Sequence, residues 1–223
     1  MSDTRGRKIK IKEIKVRSYI SPSKLPTVDF VINPYVGCPH KCIYCYASFM
    51  KRFVAGHNSE DWGDFIDVKL CDEPINIKNS STTLLGSVTD PYNPFEAKYL
   101  ITKDILQQLV AQSPCNTKYD ILTKSSLVLR DMDLLKKIKN IRVGISMNTL
   151  DDGFRKQIEP YAVSVESRIE TLKCLSENGI NTYLFMSPIF PGITDFRKIV
   201  KKVLPFIKIA YFENLNLRGS YRA

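Results

Sequence analysis

The sequence predicts an α/β fold built on a parallel sheet, either open and doubly wound or curled into a barrel. The first observation is that strand-like and helix-like segments alternate from residue 30 onward. Repeated βα units with right-handed crossovers give parallel sheets of these two kinds. The second observation is that polar residues follow most of the strand-like segments, which is typical of folds that bind ligands at the strand ends.

The elements follow in chain order. Residues 1–29 form a basic N-terminal extension with seven Lys or Arg in the first 17 positions, and its run IKIKEIKVR predicts a strand with one solvated basic face. The main domain is expected over residues 30–223. Its predicted strands cover residues 28–36, 64–71, 82–88, 119–125, 141–148, 181–192 and 208–217. Its predicted helices cover residues 46–54, 94–112, 129–140, 151–160, 164–179 and 195–206, with Ser164 as N-cap and Gly179 as C-cap of the fifth.

Polar side chains at the ends of these strands are expected to converge on one rim, since parallel strands end at the same edge of a sheet. They come from the segments after residues 85, 122, 145 and 186. They are Ser87, Thr89, Asp90, Thr123, Lys124, Ser125, Ser146, Asn148 and Ser187.

Composition limits the class of protein. The 223 residues carry a formal charge of +10 and a pI near 9.3, which attracts polyanions such as nucleic acid but is also common in proteins that never bind them. The sequence has no apolar run long enough to span a bilayer and no signal-peptide core at its start. We therefore expect a cytoplasmic protein.

Three of the six cysteines, Cys38, Cys42 and Cys45, lie in one loop as C-x3-C-x2-C. In a reducing compartment such a cluster is more typical of metal binding than of disulfides. Three thiolates leave one iron of a [4Fe–4S] cluster without a protein ligand, and an open position is typical of catalytic metal sites. A structural zinc site stays open as an alternative, with His57 or Cys71 as fourth ligand. An electron-transfer cluster is disfavoured because it would need a fourth thiolate.

The cysteine motif, with Tyr44 directly before its third cysteine, resembles the signature of the radical S-adenosylmethionine (radical SAM) superfamily. Further segments resemble its spore photoproduct lyase-like subgroup, also called DNA repair photolyase-like. They are SVTDPYNPFE, LTKSSLVLRDMDLL, IEPYAVSVESRIETL and PIFPGITD. The chain departs from this pattern at Tyr161 and Val163, where arginine and proline are usual. It also stops at NLNLRGSYRA, where similar proteins continue, so a truncated C-terminus is one expectation.

The resemblance implies a partial (β/α)6 TIM-like barrel that binds a [4Fe–4S] cluster on Cys38, Cys42 and Cys45. It implies S-adenosylmethionine on the open iron, reductive cleavage to a 5′-deoxyadenosyl radical, and hydrogen abstraction from a substrate. An external electron donor of flavodoxin or ferredoxin type is implied as partner, and DNA or RNA as a candidate substrate.

The resemblance also implies cofactor contacts, which carry over residue by residue. Tyr44 and the PIFPG turn would lie near the adenine, and the segment with Ser87, Thr89 and Asp90 would receive the methionine amino group. Lys124 and Arg168 would contact the cofactor carboxylate, and Ser146 and Asn148 would contact the ribose and the carboxylate.

Each of these residues has a structural interpretation as well. Asp90 fits a turn that caps the next helix. Lys124 and Arg168 fit surface charges, and Glu159-Pro160 fits a helix end. Cys71 could donate hydrogen to a radical, although no motif supports that role. We interpret Cys115 as a loop cysteine without a catalytic role, and Cys174 as a small residue of the core. A non-catalytic nucleic-acid-binding protein with structural zinc is the alternative function.

Overall fold

In the described part of the chain, six parallel strands and one short antiparallel strand form the main sheet. The computed structural model describes residues 7–112 and 116–215, so that Cys115 lies outside the described residues. The strands are β1 (Lys10–Lys15), β2 (Ile20–Pro22), β3 (Phe30–Ile32), β4 (Tyr35–Val36), β5 (Phe65–Leu70), β6 (Thr82–Leu85), β7 (Lys118–Thr123), β8 (Ile141–Ser146), β9 (Asn181–Ile189) and β10 (Ile209–Asn214). Seven of them form one sheet in the order β10-β9-β8-β7-β6-β3-β2, in which only β2 is antiparallel to its neighbour. This arrangement confirms the predicted parallel α/β fold with six main strands.

Helices connect the successive parallel strands. They are α1 (Glu96–Tyr99), α2 (Ile101–Gln112), α3 (Met132–Leu135), α4 (Asp152–Ile158), α5 (Val165–Glu177) and α6 (Phe196–Val203), with 3₁₀ helices at Tyr46–Phe53, Ser126–Asp131 and Leu204–Phe206. The predicted N-cap of α5 is confirmed, because the Ser164 hydroxyl accepts a hydrogen bond from the Ser167 amide. Gly179 follows the C-cap residue Asn178 and adopts φ +80°, which is the usual position of a helix-terminating glycine. No helix in the described ranges is long and apolar enough to cross a bilayer.

The central strands β7, β8 and β9 are nearly continuous buried runs, as expected of parallel strands covered on both faces. Gly144 of β8 lies directly against the ring of Tyr183 on β9. A Cβ at position 144 would lie 2.2 Å from that ring, so only glycine fits there. The strands therefore pack closely and hold their carboxyl ends at fixed positions.

A second, three-stranded sheet has the order β1-β5-β4. The N-terminal strand β1 pairs in parallel with β5, with Lys10 opposite Phe65. The side chains of Lys10, Lys12 and Lys15 are exposed and those of the isoleucines between them are half-buried, which confirms the predicted strand with a solvated basic face. The extension thus packs onto the main domain through this sheet; the domain boundary near residue 30 stays a prediction.

The helix predicted over residues 94–112 is interrupted, and this part of the prediction is wrong. Leu100 adopts φ +58° between α1 and α2, a left-handed conformation that ends α1. The buried carboxylate of Glu96 accepts hydrogen bonds from the amides of Thr102 and Lys103 at 2.9 and 3.2 Å. A side chain from α1 therefore caps the first turn of α2, which offsets the helical hydrogen bonds lost at the break. The helix predicted over residues 129–140 is also shorter, as it ends at Leu135.

Candidate functional site

The cysteine loop lies between β4 and the 3₁₀ helix Tyr46–Phe53. Its thiols, Cys38, Cys42 and Cys45, are partly buried. Burial raises the pKa of all three, that of Cys38 to about 12, while the nearby Lys124 ammonium acts in the opposite direction on Cys42. Thiols with raised pKa values are protonated at neutral pH unless a bound cation displaces the proton. Burial therefore favours the neutral thiol form of these cysteines as long as no cation is bound.

Two hydrogen bonds and one close backbone approach connect the loop to other parts of the chain. The Thr89 hydroxyl, beyond β6, donates to the Gly37 carbonyl at 2.6 Å. The Ile43 amide donates to the Ile158 carbonyl at the end of α4, at 2.9 Å. Gly37 itself has φ +88°, and a Cβ there would lie 2.5 Å from the Phe65 carbonyl oxygen of β5. The loop is therefore attached both to the strand-end rim and to the second sheet.

Asp90 joins the ends of β6 and β7. Its carboxylate accepts hydrogen bonds from the Tyr92 amide at 2.9 Å, from the Thr123 hydroxyl at 2.6 Å and from the Lys124 amide at 2.8 Å. His40 of the cysteine loop lies 3.4 Å away through its Nδ1, and burial lowers the pKa of that imidazole. The predicted turn at Asp90 is confirmed, but Asp90 does not cap the helix that follows, because α1 begins at Glu96 with Phe95 as its N-cap residue. Because its oxygens are engaged by protein donors, Asp90 acts here as an anchor of the rim.

A buried charge network lies beneath the cysteine loop. The Tyr44 hydroxyl and the Arg168 guanidinium both donate to the carboxylate of Glu159. Glu159 and Arg168 are at most 1% exposed, so this ion pair is shielded from bulk water. Burial alone would raise the pKa of Glu159, but Arg168 and Lys124 hold it below its ordinary value. Arg168 also donates to the Ser146 carbonyl at the end of β8, at 2.9 Å. The network fixes Tyr44 relative to that strand end.

Lys124 is the second cation of this network. Its Nζ lies 5.9 Å from the centre of the Tyr44 ring, within the range of a cation–π interaction. Burial would lower the pKa of Lys124, but the nearby Glu159 carboxylate is among the groups that raise it above its ordinary value. The ammonium is therefore charged beside the cysteine loop, where it can receive an anionic ligand group.

The PIFPG turn packs against the motif tyrosine. The ring of Phe190 lies 5.7 Å from that of Tyr44 in an edge-to-face arrangement, and at the same distance from Phe154 of α4. Thr194 closes the turn, with its hydroxyl 3.1 Å from the Asn148 carbonyl. The turn is thus next to the site, as the sequence predicted.

Asn148 has a buried amide without a partner. The side chain is 1% exposed, and neither its oxygen nor its nitrogen forms a hydrogen bond with any residue in the ranges 7–112 and 116–215. The Nε of Arg168 is likewise buried without a partner among those residues. Unpaired buried polar atoms cost free energy unless a ligand satisfies them. Both residues therefore fit a polar small molecule bound at the end of β8.

The other predicted contacts have protein partners. Ser87 exchanges hydrogen bonds with Asn33, whose amide nitrogen donates to the Ser87 hydroxyl at 2.9 Å. Ser146 contributes its carbonyl to Arg168, and its side chain is buried at the end of β8. The cofactor roles predicted for Ser87, Thr89, Asp90 and Ser146 stay predictions. The interpretation of Arg168 as a surface charge is wrong, because it is buried and paired with Glu159.

The sequence did not reveal that Glu159 pairs with Tyr44 and Arg168, because Glu159-Pro160 can also be interpreted as a helix end. Its partner Tyr44 lies 115 positions earlier, and nothing local to either residue indicates the pairing. The one available signal is an acidic residue nine positions before Arg168, both flanking the start of a helix.

The geometry does not suit a single metal ion. Within the part of the chain that the structure describes, no three His, Cys, Asp or Glu side chains converge closely enough to hold one. Of the candidate fourth zinc ligands, His57 pairs with Asp67 at 2.7 Å, and the Cys71 thiol lies 3.5 Å from the Glu73 carbonyl. In an iron–sulfur cluster each thiolate would bind a different iron, so the sulfur atoms need not meet at one ion. His57 and Cys71 have other partners among the described residues, which disfavours them as a fourth zinc ligand.

A family model, several relatives and several solved structures match most of this chain. The family model described as the radical SAM superfamily matches residues 32–203. An uncharacterized protein of Methanocaldococcus jannaschii is 42% identical over 216 residues, covering 96% of this chain and 80% of that protein. A radical SAM Nα-GlyT isomerase of Pseudomonas phage M6 is 26% identical and covers 77% of this chain but only 36% of the isomerase.

Among solved structures, a spore photoproduct lyase mutant with bound AdoMet and a dinucleoside spore photoproduct is similar with a TM-score of 0.70 and 16% identity. The match covers 94% of this chain and 64% of the lyase, and a second lyase structure is covered to 59%. At this identity the likeness is one of fold. It confirms the partial TIM-like barrel, and this chain spans about three fifths of the lyase.

Proposed function

The chain belongs to the radical SAM superfamily, and from this premise we propose that it is an enzyme that binds a [4Fe–4S] cluster and S-adenosylmethionine. We propose that Cys38, Cys42 and Cys45 hold the cluster and that the enzyme abstracts a hydrogen atom from a nucleic-acid substrate. The observation that carries the proposal is the three-thiol loop, which is hydrogen-bonded through Thr89 to the segment beyond β6 and through Ile43 to the end of α4. When bound, the cluster and S-adenosylmethionine supply a 5′-deoxyadenosyl radical by reductive cleavage.

The residues of this chain would bind and orient the cofactor. The unpartnered amide of Asn148 and the free Nε of Arg168 would pair with its polar groups at the end of β8. The ammonium of Lys124 would receive its carboxylate, since it is charged and lies beside the loop. The rings of Tyr44 and Phe190 would present an apolar surface to the adenine.

Nucleic acid is the proposed substrate class. The net charge of +10 and the exposed lysines of β1 favour phosphate contacts. The fold is that of a lyase whose structure contains a dinucleoside photoproduct. A lyase reaction in DNA repair is one form of this proposal, and a cytoplasmic location and reduction by a flavodoxin- or ferredoxin-like donor belong to it as well.

Anaerobic reconstitution tests the proposal. We expect a brown protein with about four irons per chain that forms 5′-deoxyadenosine from S-adenosylmethionine when dithionite is added. Metal analysis separates this enzyme from the alternative, a non-catalytic nucleic-acid-binding protein with one zinc per chain. A fully reconstituted protein that forms no 5′-deoxyadenosine would overturn the proposal.

A further inference from the structure

The 3₁₀ helix Tyr46–Phe53, directly after the cysteine loop, has an exposed row of aromatic side chains. Tyr46, Phe49 and Phe53 are 45%, 43% and 67% exposed. On a 3₁₀ helix residues three apart lie on the same side, which groups Tyr46 with Phe49, and the Arg52 guanidinium lies against the rings of both Phe49 and Phe53. We call these three exposed rings the aromatic face. Exposed aromatic side chains grouped in this way are typical of binding surfaces.

The opposite side of this helix already has its packing partners. Ala47 is buried in a small cluster with Trp62 and Phe65, and Met50 packs against the same cluster. The helix is therefore held to the second sheet through its apolar side. The aromatic face is turned away from that cluster and is available to a ligand.

Basic groups flank the aromatic face. The Arg52 guanidinium lies 5.6 Å from the ring centre of Phe49 and 4.7 Å from that of Phe53. On the next segment, the Gly56 carbonyl accepts a hydrogen bond from Lys10 of β1 at 3.0 Å, and the exposed Lys12 ammonium also adjoins Gly56. The basic edge strand β1 thus borders the end of the aromatic helix. Rings beside guanidinium and ammonium groups are the combination that binds single-stranded nucleic acid.

The aromatic face begins at the candidate site. Tyr46 directly follows Cys45, and its hydroxyl donates to the Ser87 carbonyl beyond β6. A strand lying along the face would therefore reach the rim where the cofactor is proposed to bind. Enzymes that act on a base must take it out of the duplex stack, and a stacking surface beside the site would hold its neighbours.

We propose that the aromatic face stacks the bases of single-stranded nucleic acid, while Arg52 and the lysines of β1 contact its phosphates. This inference rests on the proposed function, because it states how a nucleic-acid substrate would reach that site. Base–aromatic stacking and phosphate contacts are both tolerant of sequence, so we expect binding with little sequence preference and a strong dependence on salt.

Fluorescence anisotropy with a labelled single-stranded oligonucleotide, as DNA and as RNA, tests the proposal on the reconstituted protein. Phe49→Ala and Phe53→Ala should each weaken binding about tenfold, and Phe53→Leu, which keeps an apolar side chain without a π face, should also weaken it. Lys12→Gln should lower the slope of log K against log salt by about one. The matched control is Phe196→Ala on α6, a ring 44% exposed with Arg197 at 5.6 Å, which should bind as wild type does.

The proposal is overturned if wild-type protein does not bind the oligonucleotide at low salt, or if both alanine variants bind as tightly as wild type. It is also overturned if the alanine variants bind the oligonucleotide normally but reduce the cluster more slowly with flavodoxin and at the wild-type rate with dithionite. The aromatic face would then bind the electron-donor protein and not nucleic acid. Formation of 5′-deoxyadenosine with dithionite and no oligonucleotide is measured in parallel. If wild-type protein forms no 5′-deoxyadenosine, the proposed function is contradicted. If it forms 5′-deoxyadenosine but does not bind the oligonucleotide, only the proposed role of the aromatic face is contradicted.

Discussion

The Tyr44 hydroxyl donates a hydrogen bond to the carboxylate of Glu159, 115 positions later in the chain. Tyr44 lies between the second and third cysteines of the loop, and Glu159 lies at the end of α4. Glu159 is fully buried and is held in turn by Arg168, which reaches the end of β8. The position of the cysteine loop is thus coupled to the strand end at which Asn148 presents its unpartnered amide.

Removing this contact should weaken cofactor binding. Tyr44→Phe keeps the ring against Phe190 but loses the hydroxyl, and Glu159→Gln keeps an acceptor but leaves Arg168 without its counter-charge. We expect each variant to bind S-adenosylmethionine roughly tenfold more weakly, which corresponds to about 1.4 kcal/mol. Isothermal titration calorimetry on reconstituted protein measures this, and the double variant should show a coupling energy of at least about 0.5 kcal/mol.

Tyr211→Phe is the matched control, because its hydroxyl accepts from Arg142 far along the sheet from the loop. It should leave the affinity for S-adenosylmethionine unchanged. Wild-type affinity in both Tyr44→Phe and Glu159→Gln would show that the contact does not position the cofactor.

Alanine variants of the three loop cysteines should differ in iron content from alanine variants of the other cysteines. Each thiolate is expected to bind its own iron, so Cys38→Ala, Cys42→Ala and Cys45→Ala should each lose most of the roughly four irons per chain. Cys71→Ala and Cys174→Ala should retain them, since Cys71 contacts the Glu73 carbonyl and Cys174 lies on α5. Iron and sulfide analysis after anaerobic reconstitution checks this. Full iron content in any loop variant would remove that residue from the ligand set.

Local sequence patterns were sufficient for the main sheet and for the cysteine loop. Strand and helix periodicity depends on neighbouring residues, and the cap at Ser164 is set by an amide three positions away. The pairing of β1 with β5 is different, because it joins Lys10 to Phe65 across 55 positions and no local pattern specifies such a register. The break at Leu100 was missed for a similar reason, since the apolar spacing continues through it while the left-handed residue is stabilised by the tertiary contacts of Glu96.

The cysteine loop of the candidate site could be singled out from the sequence, but its supporting contacts could not. The spacing of three soft ligands points to Cys38, Cys42 and Cys45, and their role as cluster ligands stays a prediction. Whether a charged residue faces solvent or an opposite charge depends on the packing of elements that are distant in sequence. The sequence alone therefore allowed a surface position for Arg168. Asp90 was correctly placed at a strand end, but its bonds to Thr123 and Lys124 depend on how β6 and β7 pair.

Asp90→Asn should destabilise the rim. One carboxylate oxygen accepts from the Lys124 amide and the other from Thr123 and Tyr92, and asparagine offers only one acceptor. Its NH₂ group would face a backbone donor, so we expect a loss of about 1–3 kcal/mol in the free energy of unfolding. Urea unfolding measures this. Asp72→Asn, whose carboxylate is 87% exposed, should be neutral, and equal stability of the two variants would contradict the anchoring role of Asp90.

Among the carboxylates outside the candidate site, Glu96 is the one whose replacement should lower the free energy of unfolding most. It is fully buried, and its oxygens accept hydrogen bonds from the Tyr35 hydroxyl, from the first amides of α2 and from Arg130 at 2.7 Å. Glu96→Ala leaves the Tyr35 hydroxyl and the first amides of α2 without this buried acceptor and removes one of the two carboxylate partners of Arg130, so we expect a loss of about 3–5 kcal/mol.

Glu96→Gln separates the charge from the hydrogen bonds. The amide retains one acceptor for α2 or Tyr35 but cannot neutralise Arg130, which still keeps Asp131 at 2.6 Å as a second partner. Its destabilisation should therefore be smaller than that of Glu96→Ala, at about 1–2 kcal/mol. Urea unfolding followed by far-UV circular dichroism gives both values, with the exposed Glu166→Ala on α5 as control. If Glu96→Ala unfolds at the wild-type urea concentration, the break at Leu100 does not depend on this cap, and α2 is stabilised by its packing alone.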